Sequence, residues 1–140
     1  TWFVQSEMNG NADQPVKFLQ IWFLPNQRNV TPRYQQISIA EGALDNEFQQ
    51  ILSPNADDAG VWIHQDAWFH WLKLDQGVQK TYTLKGAGNG VYVFVIKGSA
   101  QVAEHDLHAR DGLGISEVEQ FELRASADAE LLLMEVPMSV

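Results

Sequence analysis

Apolar and polar positions alternate with a period of two along much of this chain, and no long segment carries a clean helical period. The pattern is clearest from Val91 to Val102, VYVFVIKGSAQV. An alternating strand there would put Val91, Val93 and Val95 on one side and Tyr92, Phe94 and Ile96 on the other. Lys97 would mark the point where the strand reaches solvent. Gly98-Ser99 then reads as a turn, and the run as a β-hairpin at the centre of a sheet. Gly88-Asn89-Gly90 supplies the turn that feeds it, and Asp111-Gly112 closes the next corner.

Taken in order, residues 2–5 read as the end of a strand, and Asn9 to Pro15 as a polar, turn-rich connection. Val16 to Leu24, VKFLQIWFL, is apolar on both faces and bracketed by Pro15 and Pro25. That is the pattern of a buried strand. Asn26 to Tyr34 reads as a loop, followed by short strands at Gln35–Ala40 and Phe48–Leu52. Between Val61 and Leu74 the alternation breaks at Gln65-Asp66, which predicts two short strands about a bend. Tyr82–Leu84, Leu107–Ala109, Leu113–Ile115, Val118–Leu123 and Glu130–Val136 bring the total to about eleven short strands, the signature of an all-β sandwich or barrel. Any helix would be a single turn near Ala40–Gly42.

One internal echo bears on topology. Ser6-Glu7 followed by VKFLQIWFLP reappears as Ser116-Glu117 followed by ELLLMEVP, with Ser-to-Pro spacings of 19 (Ser6 to Pro25) and 21 (Ser116 to Pro137). A repeated supersecondary unit implies duplicated architecture, the closing strands of one barrel followed by a second, whole barrel. Chance similarity between two apolar strands is the alternative.

Composition narrows the function classes. A net charge of −9 argues against a nucleic-acid backbone as partner, because phosphate recognition needs clustered Lys and Arg. No apolar run approaches the length of a membrane span, so no membrane partner is expected. The chain has no cysteine, which excludes disulfides, thiolate metal sites and a cysteine nucleophile. With no leader sequence in evidence, a reducing cytoplasm is the expected location.

FLQIWFLPNQRNVTPRYQQ, residues 18–36, carries a more specific pattern. A strand ending in IW-x-x-P, a variable loop, then TPRYQ resembles the linker region of the pirin family of two-barrel cupins. Ser6-Glu7-x-Asn9 before it, and Leu52-Ser53-Pro54 and VWIHQD (residues 61–66) after it, follow the same family in order. The resemblance covers nearly the whole chain as the C-terminal half of such a protein. It implies a cupin-type jelly-roll β-barrel over residues 35–140, preceded over 1–34 by the closing strands of a truncated first barrel and the linker. It also implies an iron or similar divalent metal in the first barrel and, in some bacterial relatives, oxidation of the flavonol quercetin.

A cupin centre gathers three imidazoles and one carboxylate inside the barrel. The cupin pattern sets two histidines one residue apart, then a Glu, then a Gly after six intervening residues. Anchored at Gly98, it places the Glu at Val91 and the histidines at Lys85 and Ala87, or at Leu84 and Gly86. The second pattern, a His three residues past a turn Gly, falls on Ile115 when Gly112 is that Gly. In the truncated barrel the pirin His and Glu positions are Gln5 and Glu7. Gln5, Glu7, Val91 and Ile115 are therefore degenerate metal positions, and no metal or other cofactor is expected.

Of the four histidines, His105 and His108 flank a hairpin turn and should face water. His64, Asp66 and His70 share parity, so an unbroken strand would aim them at one face and make a zinc site thinkable. The favoured reading is that His64 and Asp66 shape the bend while His70 is hydrogen-bonded at the rim. Trp62, Trp68 and Trp71 lie close together; aromatic packing is favoured over a carbohydrate or flavonoid platform. Trp62, His64, Trp68 and His70 are the candidate ligand contacts. Glu117, Glu119, Glu122, Asp128 and Glu130 read as a solvated strand face.

These readings favour a non-catalytic structural or interaction module. The alternatives are one part of a metal-dependent quercetinase-like dioxygenase, and a small-ligand-binding cupin. Because Val16–Leu24 would present an apolar edge, a homodimer through residues 1–34 is the expected assembly.

Overall fold

A computed structural model describes residues 6–39 and 45–138. The strand end expected at 2–5, Gln5 with it, and the helical turn near Ala40–Gly42 lie outside the described residues. Eight strands follow one another: β1 Gln49–Ser53, β2 Val61–Trp62, β3 Trp68–Leu74, β4 Gln79–Thr83, β5 Asn89–Val102, β6 His105–His108, β7 Gly112–Ile115 and β8 Gln120–Pro137. Among the described residues there is no helix, and none therefore is long and apolar enough to cross a membrane.

β5 and β8 form the spine of a jelly-roll barrel. They run antiparallel from Asn89↔Pro137 to Val102↔Leu123, and each changes its second partner midway. β5 takes β7 along Val91–Phe94 and β6 along Ser99–Val102. β8 takes β4 along Gln120–Arg124 and β3 along Ala129–Glu135. β1 and β2 extend the sheet beyond β3, with β1 and β2 parallel.

This pairing corrects the expected hairpin. Gly98-Ser99 is not a turn, because both halves of β5 stay on the same partner. The register shifts between Val95 and Ala100, which makes the site an irregular bulge. Gly98 has φ of 76°, and a Cβ there would stand 1.9 Å from the Asp128 carbonyl oxygen. Glycine is required by that close approach of two strands, not by a reversal of the chain. The reversal falls at Ala103-Glu104 instead, before β6. Val118–Leu123 and Glu130–Val136 likewise merge into one 18-residue strand, β8. Among the described residues, eight strands stand where about eleven short ones were expected, two of them long because β5 and β8 run on along each other.

The side preference in β5 is as expected. Val91, Val93 and Val95 are buried, while Tyr92 is exposed and Phe94 and Ile96 are half-buried. Inward residues of β3, β4, β5 and β8 make one core that includes Leu72, Leu74, Tyr82, Val93, Leu131 and Leu133. A second, smaller cluster of Leu52, Ala67 and Phe69 lies on the opposite face of β3 and packs Met134 and Val136 of β8.

The N-terminal segment departs furthest from expectation. Val16–Leu24 forms no strand and is exposed throughout, with Trp22 at 86% and Leu24 at 81%. Residues 35–39 are also outside any strand. Neither stretch has a neighbouring strand among the described residues, so high β-propensity finds no ladder to join. Phe23 reaches the barrel edge-on, its ring 6.1 Å from that of Phe69.

Candidate functional site

Strand parity defines the interior. β8 alternates Leu131, Leu133 and Glu135 inward, and β3 does the same with His70, Leu72 and Leu74. The register then lines up one row across four strands: Trp68 opposite Glu135, Glu135 opposite Val91, and Val91 opposite Ile115. Val91 and Ile115, expected from spacing to be degenerate metal positions, are thus direct neighbours, Val91 buried and Ile115 half-buried against the core. The carboxylate of the row arrives from the next strand. Glu135 is 0% exposed.

Glu135 is fully engaged. Its carboxylate accepts from the Tyr82 hydroxyl at 2.8 Å, the Lys85 amide at 2.8 and 3.0 Å, the Gly86 amide at 2.8 Å and Asn89 Nδ2 at 2.8 Å. The bonds tie the turn between β4 and β5 to the far end of β8. Satisfied in this way, a carboxylate can be buried without neutralising itself. Tyr82 also touches His70, hydroxyl to Nδ1 at 3.2 Å. The phenolic proton goes to the shorter bond with Glu135, so the assigned tautomer has His70 offering Nδ1–H to the phenol oxygen.

Burial governs the electrostatics here. It pushes His70 down to about 4; the nearby Lys85 charge adds to that shift and Glu135 opposes it. Burial also drives the Tyr82 phenol above its ordinary range, reinforced by the Glu135 charge and by their hydrogen bond. A neutral imidazole and a neutral phenol around one committed carboxylate make a structural network.

The interior donor set does not fit a divalent metal centre of the cupin type. Such a centre needs several imidazoles with free lone pairs; this row offers two aliphatic side chains and a saturated carboxylate, with one histidine nearby. Among the described residues no three His, Asp or Glu side chains gather in metal-holding geometry. Glu7, expected from the family pattern to be a carboxylate position, lies exposed on the N-terminal segment.

The other sequence candidates divide between inside and outside. His70 is buried in the core at 3% exposure instead of sitting at the rim. His64 lies outside, its ring 4.9 Å from Trp62. The shared parity of His64, Asp66 and His70 is broken by the bend at residues 64–66, so they make no common site. The tryptophans do not form an aromatic core: all three are half-buried, and Trp71 donates to Glu130 at 2.8 Å beside the Lys73 ammonium. His105 and His108 are exposed on β6, and the acidic set from Glu117 to Asp128 is exposed, with Glu130 half-buried.

The TPRYQ stretch has a visible task. The Arg33 guanidinium lies 3.9 Å over the Trp62 ring and donates to the Trp62 carbonyl, while Gln35 Oε1 accepts from Arg33 at 2.6 Å and from the Trp62 amide at 3.3 Å. Both backbone groups of Trp62, on the edge strand β2, are therefore covered by the linker. Upstream, Asn26 N donates to the His64 carbonyl and Gln65 Nε2 to the Leu24 carbonyl, each at 2.7 Å. Between these anchors the linker walls a pocket of about 400 Å³ whose lining includes His64 and Trp68.

Sequence reasoning missed Glu135, Tyr82 and Asn89. The available signal was the acid at an inward parity position in ELLLMEVP, one step beyond Leu131 and Leu133.

A sheet folded about one core on two long central strands is the jelly-roll architecture of a cupin domain. Residues 50–136 match the family described as the quercetinase C-terminal cupin domain, and the chain belongs to that family, the C-terminal half of the pirin architecture. A quercetin 2,3-dioxygenase of Escherichia coli K12 is 31% identical over 137 residues, covering 94% of this chain and 55% of the relative. The crystal structure of YhhW from Escherichia coli superposes with a TM-score of 0.76 at 28% identity, over 83% of this chain and 48% of that one. A second structure, of the bacterial pirin YhhW in complex with nickel(II), gives a TM-score of 0.73 at 29% identity, over 81% and 47%. The chain spans about half the length of these relatives.

Proposed function

We propose that this chain is the structural barrel of a pirin-like protein: residues 35–140 form a cupin domain without a metal of its own, and residues 1–34 form the linker and the remnant of a first barrel. The observation that carries this reading is the row Trp68–Glu135–Val91–Ile115. An aliphatic side chain has no lone pair to offer, and Glu135 cannot turn to a cation without stranding four donor groups, those of Tyr82 and Asn89 buried. Quercetin 2,3-dioxygenase activity is a property of the longer relatives, and here the barrel would lend rigidity and surface, not chemistry. Lack of cysteine supports a reducing, cytoplasmic setting. Elemental analysis after dialysis against iron, nickel, copper and zinc, paired with loss of quercetin absorbance, tests the reading. Far less than one equivalent of metal and no turnover are expected. Stoichiometric metal with turnover, both abolished by His70→Ala or His64→Ala, would overturn it.

The exposed row of Phe18, Leu19, Trp22 and Leu24 supports a second element of this reading, a homodimer formed through residues 1–34. A strictly monomeric species in light scattering at high micromolar concentration would remove it.

A further inference from the structure

We infer that the pocket between the linker and the β2–β3 bend is a binding site for a neutral polyhydroxylated ligand, a mono- or disaccharide unit. The inference goes beyond the structural reading of the barrel, because the pocket lies outside the core and shares only Trp68 with the interior row.

Three features of the lining select the ligand class. First, size: about 400 Å³ lies within the range of small-molecule sites and admits one or two sugar rings. Second, chemistry of the polar wall: Asn26, Gln27, Asn55 and Asp66 bring amide and carboxylate groups to the lining. The side chains of Asn26, Gln27 and Asp66 make no hydrogen bond to another described residue, so their donors and acceptors are free to meet adjacent hydroxyls. Third, the apolar side is small, formed by Pro54, Ile63 and Trp68. An apolar patch of that extent suits the C–H face of a sugar.

The same lining disfavours other ligands. No Lys or Arg lines the pocket and its one carboxylate is Asp66, so phosphates and carboxylates meet repulsion. A single carboxylate is too few for a divalent cation.

The walls are held in place before any ligand arrives. Gln65 spends its amide on the Leu24 carbonyl and its oxygen on the Asp66 amide, which fixes the bend. Asn26 is held by its backbone bond to His64, and Trp68 begins β3, locked opposite Glu135. Such preorganisation lowers the ordering cost of binding.

The test is calorimetric titration of the whole chain with glucose, galactose, N-acetylglucosamine, maltose and cellobiose, with citrate and quercetin as anionic and aromatic comparators. Saturable binding of at least one sugar is expected, weakened about tenfold or more by Trp68→Ala and by Asp66→Ala, and unchanged by Trp71→Ala. Asp66 is exposed, so its variant reports on the pocket even if Trp68→Ala disturbs folding. No saturable sugar binding by the folded chain would overturn the inference. So would sugar binding that survives Asp66→Ala, or tighter binding of quercetin or citrate than of any sugar.

Discussion

Leu131, Leu132 and Leu133 in β8 and Phe18, Leu19 and Ile21 near the N-terminus are equally apolar runs, yet the first three are buried and the others exposed. The difference lies in what stands beside them. β8 has β5 along one edge and β4 then β3 along most of the other, so most of its backbone groups find a ladder and both faces find side chains. Val16–Leu24 has no strand neighbour among the described residues and touches the barrel through Phe23 and the Leu24 carbonyl. Hydrophobicity drives burial only where a second surface exists to close over it.

The sharpest way to break this contrast is to hollow the barrel. Leu133→Ala, at a site with no exposure, is expected to cost ~3–5 kcal/mol in urea unfolding. A loss under ~1 kcal/mol would show that β8 is not the spine. Next in size is Glu135→Leu, which leaves the Lys85 and Gly86 amides and Asn89 without their acceptor and should cost ~3 kcal/mol. Equal or greater stability in that variant would mean the network is dispensable and the row could have been wholly apolar.

The third effect depends on pH. His70 titrates near 4 in the folded barrel against an ordinary value of 6.5. Between those values the unfolded chain takes up a proton that the folded chain refuses. Stability is therefore complete above about pH 6.5 and falls as the pH drops towards 4, by ~3 kcal/mol at most. Urea midpoints measured over this window should slope in the native chain and flatten in His70→Gln; parallel slopes would mean His70 is not the group responsible.

Smaller effects mark the boundary between the two regions. Phe94 is half-buried on the outer face of β5, so Phe94→Ala should cost ~1–2 kcal/mol and not the ~3–5 of a core aromatic. Trp22→Ser should change unfolding by no more than ~0.5 kcal/mol while abolishing dimer formation in light scattering. A larger loss of stability would show that the N-terminal segment is part of the barrel's fold.

Period-two alternation, turn residues at the corners and the brackets around Gln65-Asp66 determined the fold class, most strand positions and the inward side of β5. Those are local properties, readable because a strand's side chains alternate whatever it pairs with. The TPRYQ pattern drew attention to this stretch, though not to the Arg33–Trp62 clasp it makes. Spacing also singled out Val91 and Ile115. That they are cross-strand neighbours, with Glu135 completing the row, was decided by the register of β5, β7 and β8. Gly98 as a bulge, the separation of His64 from His70, and the exposure of Val16–Leu24 were likewise decided in three dimensions. Each depends on which strand lies alongside. Pairing joins residues as distant as Trp68 and Glu135, and no pattern within either segment encodes the partner.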